Sequence, residues 1–226
     1  MVKQLFPLTL FLLIGHCLFA QRNVVESYRA LQKYNSTLNA YPLEKKGNEW
    51  LSYSSAEYSI TPTVDYKNGY IEIQDDGTGG GTVTVQVVLF RTVDGRELVG
   101  ISESMFDGMF VDSDFEFWKS SSSGWKNVTS EVMPSYNYVD FTYAELGDMD
   151  NNYEAQMAYS IKLPQHGTTV ELRLIEHPLK VKEQSCKDEP ASDCGLNEIM
   201  LNQRYKYVEL TWDKANTRFK RGKQVK

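Results

Sequence analysis

Past residue 60 this chain places apolar side chains at every second position, in runs cut by turn residues. A period of two sends alternate side chains to opposite faces of an extended strand, so the pattern admits half-buried strands and excludes long helices. In "TVDYKNGYIEI" the central pair is Asn68 and Gly69, and in "LFRTVDGRELVGI" it is Asp94 and Gly95. These are the residue types that two-residue hairpin turns require at positive φ. Counting outward from the first turn sets Tyr66 opposite Ile71 and Val64 opposite Ile73, with the like-charged Asp65 and Glu72 facing each other. Counting from the second sets Phe90 opposite Val99 and Val88 opposite Ile101, while Val83, Val85, Val87 and Leu89 point the other way. Both faces of this strand are apolar, which predicts a central strand covered on both sides.

The glycines of "DDGTGGGTVTVQVVLF" invite a phosphate-binding reading. A nucleotide-binding glycine loop leads from a strand into a helix whose N-terminus faces the phosphates. Here the glycines lead into a strand, no lysine followed by serine or threonine comes after Gly81, and Asp75 and Asp76 would repel an anion. The segment is a connection between a strand over 70–74 and one over 82–93.

Only the stretch from 24 to 38 carries helical spacing, with Val24, Tyr28, Leu31 and Leu38 on one face and Tyr34 near the same stripe. Alternation then resumes at Val139, Phe141 and Tyr143, through residues 153–163, at Val170, Leu172 and Leu174, and at Val208, Leu210 and Trp212. The two halves share a coarse plan of strand, acidic loop, long strand, turn and strand, without repeating residue identities. The expected fold class is α+β: one N-terminal helix packed on a largely antiparallel sheet or half-barrel of about eight strands. Residues 21–213 form a single mainly-β domain in this reading, and 214–226 a solvated basic tail with Lys214, Arg218, Lys220, Arg221, Lys223 and Lys226 against no acid.

The N-terminus carries Lys3, an apolar run over 5–19 and the small residue Ala20, the pattern of a secretory signal peptide spanning 1–20. Its run is shorter than the roughly 20 apolar residues of a membrane span, so no transmembrane segment is expected after its removal. The net charge of −6 disfavours nucleic acid as a partner. Export places the protein in a secreted or periplasmic space where disulfides persist. With Cys17 in the signal, Cys186 and Cys194 are the two cysteines left, flanking the polar "KDEPASD", and are expected to form one. Asn35 and Asn127 head sequons that matter only in a eukaryotic secretory pathway.

Chemistry is sparse. His166 sits in the turn "LPQHG" and His177 beside Pro178, no Gly-x-Ser-x-Gly elbow occurs, and no catalytic set is assigned. The histidines and cysteines form no zinc pattern, and no cofactor is expected. Asp148, Asp150 and Asn152 begin like a calcium loop, but Tyr153 stands where glycine is needed and Tyr159 where a bidentate glutamate is, so no metal is assigned there. Trp118 and Trp125 lie in an aromatic-rich segment behind Asp112, Asp114 and Glu116, a set able to stack and hydrogen-bond a ligand. The leading expectation is a secreted or periplasmic non-enzymatic binding domain, taking a small apolar ligand between helix and sheet or a protein partner. A carbohydrate-active protein, as sugar-binding module or glycoside hydrolase, is the first alternative and a structural or adaptor protein the second.

Overall fold

A computed structural model describes residues 22–53, 58–77, 81–107, 111–142, 158–175 and 203–226. The chain opens with helix α1 (Val24–Leu31), a 3-10 turn (Gln32–Tyr34) and a second short helix, α2 (Ser36–Ala40). Sequence spacing alone predicted one helix over this stretch. Two asparagines explain the difference. Asn23 caps α1 in a reciprocal box with Glu26, and Asn35, extended at φ −125°, caps α2 through the Leu38 amide at 2.9 Å. The apolar stripe survives the break, since Val24, Tyr28, Leu31 and Leu38 are all buried, whereas Tyr34 is 40% exposed.

The strands form three antiparallel sheets among the described residues, in place of the one sheet of about eight strands expected. A small sheet joins β1 (Leu43–Lys46), β2 (Glu49–Tyr53) and β3 (Ser59–Ile60). The largest runs in sequence order through β4 (Thr63–Asp65), β5 (Tyr70–Asp75), β6 (Thr82–Arg91), β7 (Glu97–Phe106), β8 (Val111–Ser121) and β9 (Gly124–Asn127). After a single helical turn, α3 (Thr129–Val132), a four-stranded sheet orders β10 (Tyr159–Lys162), β11 (Thr169–Leu174), β12 (Tyr207–Asp213) and β13 (Arg218–Val225). No helix among the described residues is long and apolar enough to cross a membrane.

The six-stranded sheet is the middle layer. Its outer-facing Ile71, Ile73, Val85, Val87, Val99 and Ile101 pack with α1, α2 and the small sheet. Its opposite face presents Tyr70, Val88, Phe90, Leu98 and Phe117 to the four-stranded sheet. β6 supplies apolar side chains to both cores, as its sequence requires, and it pairs β5 and β7 on its two sides. At Gly100 the backbone lies so close to Phe117 that a Cβ would stand 2.8 Å from the ring.

Both hairpin registers differ from those counted off the sequence. Val64 pairs Ile71 and Asp65 pairs Tyr70, a slip of two positions that keeps the faces. The cause is the Asp65 side chain, which accepts from the Asn68 amide at 3.0 Å and its carboxamide at 2.6 Å and widens the turn to residues 66–69. Tyr66 leaves the ladder, and Glu72 faces Thr63 instead of Asp65. At the second hairpin Thr92 and Arg96 close a five-residue loop, and Phe90 pairs Leu98 while Leu89 pairs Val99. That slip of one moves Val99 and Ile101 to the helix side. The glycine-rich segment does connect two antiparallel strands, β5 and β6.

Two further segments depart from expectation. Residues 138–140 form a 3-10 turn (Tyr138–Asp140), not a strand, with Val139 exposed and Phe141 buried. Residues 218–225 are no solvated tail. They form β13 along β12, and Phe219 is 2% exposed. Its ring lies 4.9 Å from Phe117, 5.1 Å from Trp212 and 5.4 Å from Phe90, edge-on to the last. Lys220 rides the opposite face and pairs Asp213 at 2.5 Å, while Arg221, on the Phe219 face, bridges to Asp140. Cys186, Cys194, Asp148, Asp150, Asn152, His177 and the N-terminal 20 residues lie outside the described residues.

Candidate functional site

The aromatic and acidic residues marked in the sequence divide. Asp112, Asp114, Glu116 and Trp118 alternate along β8 on its helix-facing side, and Trp125 on β9 lies diagonal to Trp118, through the pairs Trp118 with Asn127 and Ser120 with Trp125. The two indoles thus share a face. They are half-buried against the helix-side core, Trp118 with its ring 6.4 Å from Tyr34 and Trp125 beneath the Arg22 guanidinium at 6.0 Å. Phe117 and Phe115 go to the other face.

Glu116 is the hub of this region. It accepts from Asn35 Nδ2 at 2.6 Å, Asn127 Nδ2 at 2.9 Å and Trp118 Nε1 at 2.9 Å, joining α2, β8 and β9. Its acceptor capacity is directed inward, to the protein. Asp112 and Asp114 are exposed and each accepts from the amide that follows it. A crevice of about 50 Å³ opens beside Thr37, Glu103 and Asp114, room for a water or two. No group of three metal-ligating side chains forms among the described residues. The helix–sheet interface expected to hold an apolar ligand is filled: Tyr28 and Leu31 are both fully buried, and the Tyr28 hydroxyl donates to the Tyr41 carbonyl at 2.5 Å.

A larger concavity lies on the other side of the middle sheet. Edge strand β10 crosses that face with its unpaired backbone groups turned down, and the sheet's side chains meet them. The Leu163 amide donates to Gln86 Oε1 at 3.0 Å, and the Ser102 hydroxyl donates to the Ile161 carbonyl at 2.7 Å. Polar side chains thus shield an edge that would otherwise template another strand. Two clefts flank this crossing and share Gln86 and Lys162. One, of about 460 Å³, is bordered by Tyr70, Glu72, Gln86, Lys162, His166 and Glu171. The other, of about 260 Å³, runs along Thr84, Ser102, Ser104, Ser160 and Arg173.

The floor of the larger cleft is held by a closed set of bonds. Tyr70 donates to Glu72 Oε2 at 2.5 Å, and Gln86 Nε2 donates to the same oxygen at 2.9 Å and to the Tyr70 hydroxyl at 3.1 Å. Burial, then the bond to Glu72 and its charge, push the Tyr70 hydroxyl far above its ordinary value, so it stays protonated and donating. On the wall, Arg173 engages Glu171 and lies 5.5 Å over the Tyr207 ring.

The chain matches no family model and no curated protein. Among solved structures it is similar to a domain of an uncharacterized protein from Porphyromonas gingivalis W83, at 15% identity and a TM-score of 0.48, over 81% of this chain and 80% of that one.

Of the residues that build the cleft, sequence reading singled out His166 as a turn residue and Glu72 only as a strand partner. The signal was present: Glu72 and Gln86 share a face of β5 and β6 with the buried Tyr70, Val88 and Phe90. A charge placed there needs partners on the sheet or a ligand above it.

Proposed function

We propose that the protein is an exported binding domain that holds a small polar ligand in the cleft between the six-stranded and four-stranded sheets. The observation that carries this reading is the set of pre-positioned polar groups on the cleft floor, where Tyr70, Gln86 and the Leu163 amide fix Glu72 and Gln86 in place before any ligand arrives. Concave shape and convergent polar groups are what a small-molecule site requires, and the filled helix–sheet interface and half-buried indoles supply neither.

Export belongs to the same reading. It rests on the apolar run over 5–19 ending at Ala20, and it entails a disulfide between Cys186 and Cys194. Alkylating the exported protein without reductant is expected to add no alkyl group, and two groups by intact mass would mean free thiols. The binding reading is tested by native mass spectrometry of protein purified without denaturation. A retained small molecule that disappears in Gln86→Leu supports it. A ligand-free spectrum, or a ligand retained equally by the variant, counts against the cleft.

A further inference from the structure

Glu72 is fixed through one oxygen only. Oε2 takes the bonds from Tyr70 and Gln86, and Oε1 has no partner among the described residues. A carboxylate held this way presents one open, charged acceptor to the cleft. At Lys162, which lines the same cleft, the situation is reversed. Lys162 pairs in register with Glu171, but Glu171 is taken by Arg173, and Lys162 has no ion pair among the described residues. Lys162 lines both clefts. The larger cleft is therefore lined by Glu72, with an open acceptor oxygen, and by Lys162, a cation with no ion pair among the described residues.

Three ligand chemistries compete for such a site. A simple anion would meet Lys162 but be repelled by Glu72. A sugar would satisfy the polar groups, yet sugar sites use an open ring face for stacking, and Tyr70, the phenol bordering the cleft, is 4% exposed. A molecule with both charges satisfies both walls. From this juxtaposition we infer that the cleft binds a small zwitterion of the amino-acid class, its ammonium on Glu72 Oε1 and its carboxylate on Lys162. This inference rests on the cleft being the binding site.

The test is a ¹⁵N–¹H NMR titration of the full exported chain with two named probes, an equimolar mixture of glycine, alanine, leucine, lysine and glutamate, and the dipeptide alanyl-alanine. The expected result is saturable shifts at the amides of Gln86, Lys162 and Leu163. The N-acetyl and methyl-ester forms of the same compounds each lose one charge and should bind about tenfold more weakly or worse, as should Glu72→Gln and Lys162→Met. Lys162 is exposed, so its variant keeps the test valid if Glu72→Gln folds poorly. Unshifted cleft amides with both probes overturn the inference, as does equal binding of the blocked forms. A non-zwitterionic ligand found by native mass spectrometry alongside that result leaves the cleft standing as a binding site, whereas an empty spectrum removes both.

Discussion

Asn35 does two jobs with one carboxamide. Its oxygen caps α2 and its nitrogen ties Glu116 on β8, so the break between the helices and their docking on the sheet depend on the same side chain. Asn35→Ala is expected to cost about 1–3 kcal/mol, the loss of a cap plus a part-buried carboxylate oxygen left short of a donor. Urea unfolding reads this directly, and an unchanged midpoint would refute the role. As Asn35 is 6% exposed, its sequon cannot accept a glycan in the folded protein. The tyrosines make a second measurable point. Tyr28, Tyr41 and Tyr70 all have their hydroxyls pushed above the ordinary 10.0, each chiefly by burial. A raised folded value contributes stability that is fully present below pH 10 and is lost as pH rises through the folded values. Ultraviolet titration should therefore show these three ionising only as the protein unfolds in alkali. Reversible ionisation of all 14 near pH 10 would contradict it.

The strands show how far pattern reaches. Alternation located β5, β6, β7, β11 and β12, and it predicted correctly that β6 is apolar on both faces. Register was not legible, because it is decided by side chains within the turn: Asp65 reaching Asn68, and Thr92 closing on Arg96. The helix break was legible in principle, since Asn23 and Glu26 form a capping signature and Asn35 repeats the start signal before Leu38. β13 was hidden by its charges. Basic residues suit the outer side of an edge strand, where they deter further pairing, and the single phenylalanine among them carries the packing. Phe219→Ala is expected to destabilise the protein by about 3–5 kcal/mol, against little change for the exposed Lys223→Ala. Equal effects in thermal unfolding would return the segment to a tail. Asp213 reinforces the hairpin, its carboxyl drawn below the ordinary 3.8 by bonds first from Lys220 and then from Asn216. That contribution is present above pH 4 and fades as pH falls through the lower folded value.

The cleft could not be read from the chain, because its two walls come from Glu72 and Lys162, separated by ninety positions, and they meet only through the way β10 crosses the middle sheet. The layers themselves differ in a way that bears on how the molecule assembles. In the six-stranded sheet every spatial neighbour is also the next strand in sequence, so it can zip up one hairpin at a time. Phe219 and Phe90 stand 129 positions apart, and their contact must close that whole span. The middle sheet is therefore expected to form first and to wait with Val88, Phe90 and Phe117 facing water. Pulse-labelled hydrogen exchange should protect the amides of β5 to β8 before those of β11 to β13, and simultaneous protection would refute the sequence of events. An intermediate with half its core uncovered is sticky. Refolding yield should fall as protein concentration rises, and in the cell such a half-built chain would call for a holdase until its second sheet arrives.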